Sequence, residues 1–343
     1  YTSREVTAYY TRVLKENVEL SIELLFDILK NSTFEEREIE VERGVILQEI
    51  GQSLDTPDDV VFDWLQETAF PKQALGRTIL GPAERVKNFK RDDLLSFVKT
   101  HYRPDQMILS AAGGVDHDAI MRLVEKTFGA LPQSSVTVNK EAAHFKGGDF
   151  RKVKDLEQAH VAMTFEGPNY LSDDIYTAQI YSIALGGGMS SRLFQEIREN
   201  RGLCYSIFSQ AGAFSDTGML TIYAGTSGEQ VKDLMEITIQ ELDRAAQDMK
   251  QSELDRARAQ MKAGLLMGLE SASNRAERLA RMVQIWGHVP DITETVDKID
   301  AINLSNVSDF AEHIAARAAY ASALYGPVET APYLDHLLRT RVG

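Results

Sequence analysis

An internal repeat at a shift of 213 residues constrains the fold of this 343-residue chain more than any other feature. Each match is weak alone, but the matches keep one order along the chain, as expected for a duplicated domain. In the middle of the repeat the shift is 215, which two extra loop residues explain. The matched pairs are Thr7–Thr11 with Leu220–Ala224, Val18 with Val231, Glu23 with Glu236, Leu29 with Leu242, Glu38–Ile39 with Glu253–Leu254, Arg43 with Arg258, Asp92 with Ser305, Phe97 with Phe310, Gly113 with Gly326 and Val115 with Val328.

The repeat also bears on the start of the chain, which opens at Tyr1 on a strand-like run. The second copy begins near Arg151, so its counterpart in the first copy would begin about 60 residues before Tyr1. A segment of that length suffices for a strand, a helix and another strand. We therefore expect the first domain to lack its opening third.

Periodicity predicts the secondary structure around these matches. Thr2–Val13 and Met107–Val115 are typical of strands, and His160–Phe165 alternates like a half-buried strand. Apolar residues at helical spacing predict a helix over about 16–29, and a capping box at Thr33 predicts a second helix that ends near Gly51. Helices that alternate with short strands indicate an α/β or α+β domain.

Composition excludes several classes. The formal net charge of −14 argues against broad nucleic-acid binding and permits basic partners. The single cysteine, Cys204, excludes an internal disulfide and a cysteine-based zinc finger, and it is interpreted as a small buried apolar residue. The longest uncharged stretch, 175–191, is interrupted by polar residues and glycines, so we expect no membrane span.

Two carboxylates on the second predicted helix are candidate site residues. Glu42 and Glu49 are seven residues apart and share a helix face with apolar Val45 and Ile46. A buried carboxylate needs a cation, a metal or a proton. The alternatives are that this edge of the apolar face is exposed, or that Arg43 or another arginine pairs with them.

The repeat sharpens this choice, because the second copy has Ala257 and Gly264 at the two positions. The fold therefore does not require carboxylates there, and a divalent metal is the natural partner of an acidic pair in one copy. Nitrogen ligands are not evident, because none of the seven histidines are spaced i,i+4. The sequence contains neither H-E-x-x-H nor H-x-x-E-H.

Several segments together resemble one family. They are YTSRE at 1–5, VERGVILQEI at 41–50, ALGRTILGP at 74–82, AAGGVDHD at 111–118 and SSRLFQEIRENRGLCYSI at 190–207. The chain resembles the pitrilysin/insulinase family of inverted-zincin metallopeptidases over essentially its whole length. The resemblance is closest to the processing-peptidase branch, which includes the β-subunit of the mitochondrial processing peptidase and its bacterial relatives.

The resemblance implies a fold. It implies an α+β protein of two homologous domains, each a mainly antiparallel sheet with helices packed on one face, arranged as a clam-like shell. The predicted boundaries are a truncated N-terminal domain over 1–135, a linker over 136–150 and a homologous C-terminal domain over 151–343.

The resemblance also implies site residues. The family's H-x-x-E-H motif, which binds zinc through its histidines, would lie about 30 residues before Tyr1. Glu49 matches the third zinc ligand, and Glu42 matches a glutamate that supports the metal site and catalysis. Arg201 and Tyr205 match a pair that holds the substrate or stabilises the transition state. Without the resemblance, Arg201 is equally a helix-end charge and Tyr205 a core aromatic.

The implied activity is that of a zinc-dependent metalloendopeptidase that hydrolyses unfolded or short peptides, with basic peptides favoured by the negative charge. The chain as it stands is expected to be inactive, because the H-x-x-E-H motif is not in it. The alternatives are a non-catalytic structural or partner subunit of the same family, a paired system of two subunits and a generic binding module. A homodimer, or pairing with a related subunit, is the expected assembly, without nucleic acid or membrane. The compartment stays open, with a soluble protein of the bacterial cytoplasm as the expectation.

Overall fold

The computed structural model describes residues 1–129, 141–316 and 319–339. The predicted linker over 136–150 therefore lies partly outside the described residues. Its described part, from residue 141, runs without regular structure into the first strand of the sheet. In the part of the chain that is described, no helix is long and apolar enough to cross a bilayer.

The described chain contains helices and strands in alternation. The helices are α1 Val18–Asn31, α2 Glu36–Leu54, α3 Pro57–Ala69, α4 Ala83–Asn88, α5 Arg91–His101, α6 His117–Thr127, α7 Ile175–Gly186, α8 Val231–Asp248, α9 Gln251–Gly268, α10 Ala272–Trp286, α11 Ile292–Ala301, α12 Leu304–Ala316 and α13 Leu334–Arg339. The strands are β1 Gly148–Val153, β2 Ala159–Gly167, β3 Cys204–Ala213, β4 Gly218–Thr226 and β5 Tyr320–Gly326. Short 3₁₀ turns occupy Lys15–Asn17, Pro104–Gln106 and Gly228–Gln230, and Phe194–Glu199 is π-helical.

The starts of the helices follow the repeat found in the sequence. α1 and α8 begin 213 residues apart, and so do α5 and α12. α2 and α9 begin 215 residues apart, and so do α3 and α10. The two-residue loop insertion therefore lies before α2 and α9 and is compensated after α3 and α10. The predicted cap at Thr33 is wrong, because Phe34 adopts a left-handed backbone with φ +49° and α2 begins at Glu36.

Two matched arginines make equivalent contacts in the two copies. Arg43 on α2 donates from Nη2 to the carbonyl of Phe89, 2.7 Å away, and pairs with Glu40 three residues before it. Arg258 on α9 donates to the carbonyl of Ile302 and pairs with Asp255, again three residues before it. Phe89 and Ile302 are the residues that end α4 and α11. Each arginine therefore satisfies a free carbonyl at a helix end.

The five strands form one mixed sheet in the order β1-β5-β2-β4-β3. β2 pairs antiparallel with β4 on one side and with β5 on the other, and β4 pairs antiparallel with β3. β1 alone pairs parallel, with β5. This arrangement confirms the α+β class with a mainly antiparallel sheet.

Helices cover both faces of this sheet. On one face, Val161, Met163 and Phe165 of β2 join a core cluster with buried residues of α7, α8 and α12. On the other face, Val61 and Leu65 of α3 belong to a second cluster. β2 is therefore buried on both sides, whereas its alternating sequence had predicted a half-buried strand.

The helix on the second face comes from the first half of the sequence, and the exchange is reciprocal. Contacts divide the chain into two compact units. Unit 1 comprises Tyr1–Gly51, Ile79–Lys140 and Leu266–Val289, and unit 2 comprises Gln52–Thr78, Glu141–Leu265 and Pro290–Gly343. Each unit thus contains one helix, α3 or α10, from the opposite copy of the repeat.

Within unit 1, α10 is held by hydrogen bonds to the first half of the sequence. The Tyr1 hydroxyl donates to the carboxylate of Glu277 at 3.0 Å. The Ser110 hydroxyl donates to the carbonyl of Ala276 at 2.7 Å. The predicted boundaries at 135 and 151 ignore this exchange, and they stay a prediction.

The strands predicted in the first half are wrong for the described residues. Thr2–Val13 forms one isolated bridge, between Thr2 and Thr7, and Met107–Val115 joins no ladder. Their counterparts in the repeat, β4 and β5, both pair with β2. At the repeat shift no residue of this sequence corresponds to β2, so the two segments lack the neighbour that would supply ladder hydrogen bonds.

The second face of the sheet gives a stability prediction. We expect Leu65→Ala to lower the free energy of unfolding of unit 2 by about 2–5 kcal/mol, because Leu65 is fully buried against the sheet. Leu171→Ala, an exposed position of the same unit, is the matched control and should change it by less than about 0.5 kcal/mol. Urea denaturation followed by circular dichroism measures both, and equal effects would contradict the packing of α3.

Candidate functional site

The two candidate carboxylates lie on α2 in unit 1, and both are exposed. Arg43, which the sequence left as a possible partner, is engaged with Glu40 and with backbone carbonyls of Val86 and Phe89 instead. Among the described residues, neither Glu42 nor Glu49 forms an ion pair. No residue of α2 is buried.

The equivalent face of α9 shows what this surface does in the second copy. Ala257, the counterpart of Glu42, is 1% exposed and belongs to the core of unit 2. One turn further, the Gln260 side chain donates to the carbonyl of Gly187, which ends α7, at 2.9 Å. Gly264, the counterpart of Glu49, is exposed on the same side of the helix. The face that carries the two glutamates in α2 is thus the face that α9 turns toward the end of α7.

The described residues do not by themselves form a zinc site. A catalytic zinc site needs three protein ligands. In the described ranges no group of three or more histidines, cysteines, aspartates or glutamates could hold a metal ion. Glu49 offers one candidate ligand, and no catalytic step through zinc follows from this chain alone.

The other two predicted residues lie in unit 2, near the start of the edge strand β3. Arg201 donates from Nε and Nη2 to Oε1 of Glu196, at 3.0 and 2.8 Å. Gly202 follows with φ +64°, a left-handed conformation that favours glycine and turns the chain into β3. Hydrogen bonds from Arg201 and then from Asn200 hold the pKa of Glu196 below its ordinary value.

Tyr205 is exposed rather than part of the core. Its side chain is 79% exposed, so the reading of Tyr205 as a core aromatic fails. The guanidinium carbon of Arg198 lies 4.9 Å from the centre of its ring and 4.5 Å from the centre of the Phe194 ring. Such contacts stabilise a cation over aromatic faces.

A buried ion-pair network lies beside these residues. The Arg192 guanidinium, 10% exposed, donates to both oxygens of Glu253 at 2.7 Å and to Asp248 at 2.5 Å. Nearby, the buried Glu241 pairs with Arg244 at 2.6 Å, and burial raises the pKa of Glu241. With Ser190, Ser191, Gln195, Glu196, Lys250, Ser252 and Arg256, these residues line a surface pocket.

The sequence missed Glu196, Arg198 and Arg192 as parts of this region. Glu196 and Arg201 are five residues apart, a spacing that an α-helix does not bring together. Arg192 meets acids about 60 residues away, which no local pattern reveals. The quoted RENRGLCYS segment contained the signal only as a dense alternation of charges.

Cys204 fulfils the sequence expectation. It lies in β3, is 9% exposed and belongs to the core of unit 2. Burial raises the pKa of its thiol to about 11. It is a free, buried thiol between the exposed Tyr205 and the buried Leu203.

Family models match most of the chain. The model described as "Insulinase (Peptidase family M16)" matches residues 1–83, and that described as "Peptidase M16 inactive domain" matches residues 88–261. The chain belongs to the insulinase family of peptidases, M16. The predicted resemblance is thereby confirmed.

Bacterial relatives of this M16 chain carry zinc protease names. An uncharacterized zinc protease of Rickettsia bellii is 38% identical, over 95% of this chain and 79% of the relative. An uncharacterized zinc protease of Bacillus subtilis is 34% identical, over 97% of this chain and 81% of the relative. Zinc and proteolysis are therefore associated with the family.

Solved structures share the M16 fold. A chain of complex III from Candida albicans matches with a TM-score of 0.86 at 22% identity, over 95% of this chain and 81% of that one. A protease from Helicobacter pylori matches with a TM-score of 0.82 at 21% identity, over 90% and 77%. At these identities the matches show the fold alone.

The raised thiol pKa predicts slow labelling of Cys204. At pH 8 a thiol with a pKa near 11 has roughly 200-fold less reactive thiolate than an ordinary cysteine. We expect Ellman's reagent to label the folded chain at least about 100-fold more slowly than the chain in guanidinium chloride. Equal rates in the two conditions would contradict the burial of Cys204.

The Arg192 network predicts a pH-dependent contribution to stability. Burial raises the pKa of Glu253, but hydrogen bonds from Arg192 and the Lys250 backbone outweigh it and leave the pKa lowered. A lowered carboxylate pKa contributes stability that is complete above the ordinary value and is lost as the pH falls through the folded value. We expect Glu253→Gln to cost about 1.5–3 kcal/mol at pH 7 and less in acid.

Chemical denaturation from pH 7 to pH 3 measures this difference. Glu229→Gln replaces an exposed carboxylate of the same unit and is the control, with no change expected at either pH. A cost of Glu253→Gln that stays constant across the range would contradict the assignment.

Proposed function

We propose that this chain is the part of a zinc-dependent metalloendopeptidase that supplies the third zinc ligand, Glu49, a supporting carboxylate, Glu42, and a substrate-holding pair, Arg201 and Tyr205. The H-x-x-E-H motif that completes such a site belongs to a preceding segment of the natural protein. The chain alone, which does not contain the motif, is inactive.

The observation that carries this proposal is the contact between α9 and the end of α7 in the second copy. Gln260 of α9 donates to the carbonyl of Gly187 at that end. In the repeat, α2 corresponds to α9, and the helix that corresponds to α7 would lie about 27–38 residues before Tyr1. The resemblance to the family puts the H-x-x-E-H motif in that same interval. Equivalent packing in the first copy would turn the face with Glu42 and Glu49 toward the motif.

The difference between the copies supports a role beyond folding. The second copy fills the position of Glu42 with the buried Ala257. A carboxylate on an inward face costs several kcal/mol unless a cation or a proton meets it. Zinc bound by the motif would be that cation for Glu49, and Glu42 would support the metal site through its negative charge.

Arg201 and Tyr205 suit the second task, which is to hold the substrate. Both can donate hydrogen bonds to a carbonyl oxygen on which negative charge develops. Tyr205 is largely exposed, and Arg201 keeps part of its guanidinium exposed, so both are accessible to a peptide. The net charge of −14 favours basic, unfolded or short peptides.

Substitution of the two glutamates in the natural polypeptide that carries the motif tests the proposal. We expect Glu49→Gln to abolish stoichiometric zinc and to lower kcat/KM for a fluorogenic basic peptide by at least about 100-fold. Glu42→Gln should lower it by about 10–100-fold, as for residues that support a metal site. Metal analysis and peptide kinetics measure the two effects.

Glu38→Gln is the matched control, because Glu38 lies exposed on the same helix and on a different face. It should leave zinc content and kinetics unchanged. A polypeptide that folds, lacks zinc and hydrolyses no peptide would instead support the non-catalytic subunit. Equal turnover of acidic and basic peptides would contradict the charge argument alone.

A further inference from the structure

A π-helical turn, Phe194–Glu199, supports both members of the proposed substrate-holding pair. Its Glu196 binds the guanidinium of Arg201, and its Arg198 lies against the ring of Tyr205. π-Helical turns are rare and are frequent at functional sites. The turn therefore merits a mechanical explanation.

The wide turn accounts for the pairing of Glu196 with Arg201. In an α-helix, residues five apart project about 140° from each other and cannot meet. Here the backbone N–H of Asn200 bonds to the carbonyl of Gln195, five residues before it, at 2.9 Å. This wider pitch brings Glu196 and Arg201, also five apart, onto the same side.

The geometry of the ion pair leaves one end of the guanidinium available. Nε and Nη2 of Arg201 both donate to Oε1 of Glu196, whereas Oε2 accepts from the Asn200 side chain at 3.1 Å. Nη1 takes no part in these bonds. The glutamate is 22% exposed and the arginine 48%, so the carboxylate lies beneath the guanidinium and the guanidinium faces solvent.

A second contact orders the neighbouring phenol. The Arg198 guanidinium lies within 5 Å of the ring centres of both Phe194 and Tyr205, so one face of the exposed Tyr205 ring has a fixed neighbour. An ordered donor pair loses less conformational entropy when a peptide binds. An ordinary exposed ion pair contributes little to stability, which leaves orientation as the stronger explanation of the pair.

We propose that Glu196 is a positioning residue that holds the Arg201 guanidinium with Nη1 directed outward, toward a peptide carbonyl, while Arg198 steadies Tyr205 beside it. The inference rests on the proposed role of Arg201 and Tyr205 in holding the substrate. Glu196 acts through Arg201 and touches no substrate itself.

Nuclear magnetic resonance of the arginine side chains tests the positioning without any need for catalysis. In this chain the Nε–H signal of Arg201 should be visible and slow to exchange with water at pH 7. Glu196→Gln should increase its exchange rate by at least about 10-fold, because the charged acceptor is lost. Glu229→Gln is the matched control and should not alter it. An unchanged exchange rate in Glu196→Gln would overturn the proposal.

A double-mutant cycle in the natural polypeptide that carries the motif tests the consequence for activity. We expect Glu196→Gln to lower kcat/KM by about 10-fold in the wild-type background and to have no further effect when Arg201 is already alanine. An additive loss in the double variant would mean that Glu196 acts independently of Arg201 and would overturn the proposal.

The two experiments separate failure of this inference from failure of the proposed function. If Arg201→Ala retains full kcat/KM, the substrate-holding role fails and the positioning proposal fails with it, whatever the exchange rates show. If Arg201→Ala loses activity and Glu196→Gln does not, the proposed function stands and the positioning role is overturned.

Discussion

Pairing of the central strand β2 is the constraint on which the described fold depends. β2 bonds to β4 along one edge and to β5 along the other, and these two strands carry β3 and β1 outward. Once the pairing is made, alternate residues of β2 are committed to opposite faces, and each face needs a helical cover. α7, α8 and α12 supply one cover and α3 supplies the other.

The same constraint explains the first half of the chain. The segments that correspond to β4 and β5 retain strand-like sequences, but no residue corresponds to the strand between them. A strand gains its stability from hydrogen bonds to neighbours, so strand propensity alone does not produce a ladder. Buried core clusters are accordingly described in unit 2, while α2 displays its apolar and acidic residues to solvent.

Much of the organisation could be predicted from the residues alone. The repeat anticipated the matched starts of four pairs of helices, and the match of Arg43 with Arg258 proved to be a match of function at two helix ends. The exchange of α3 and α10 was beyond prediction, because both helices follow their predecessors closely and nothing local tells which sheet they cover. The support of Arg201 by Glu196 was equally hidden, since it depends on a π-helical turn that no common periodicity indicates.

The sequence by itself determined the family, the duplication, the α+β class and the candidate residues Glu42, Glu49, Arg201 and Tyr205. It could do so because helix periodicity, strand alternation and family motifs are written in residues close together in the chain. The tertiary structure alone decided which helix covers each face of the sheet, which carbonyls the two arginines cap and how Arg201 is held. These outcomes depend on hydrogen bonds and packing between segments far apart in the chain, whose geometry exists only after the strands have paired.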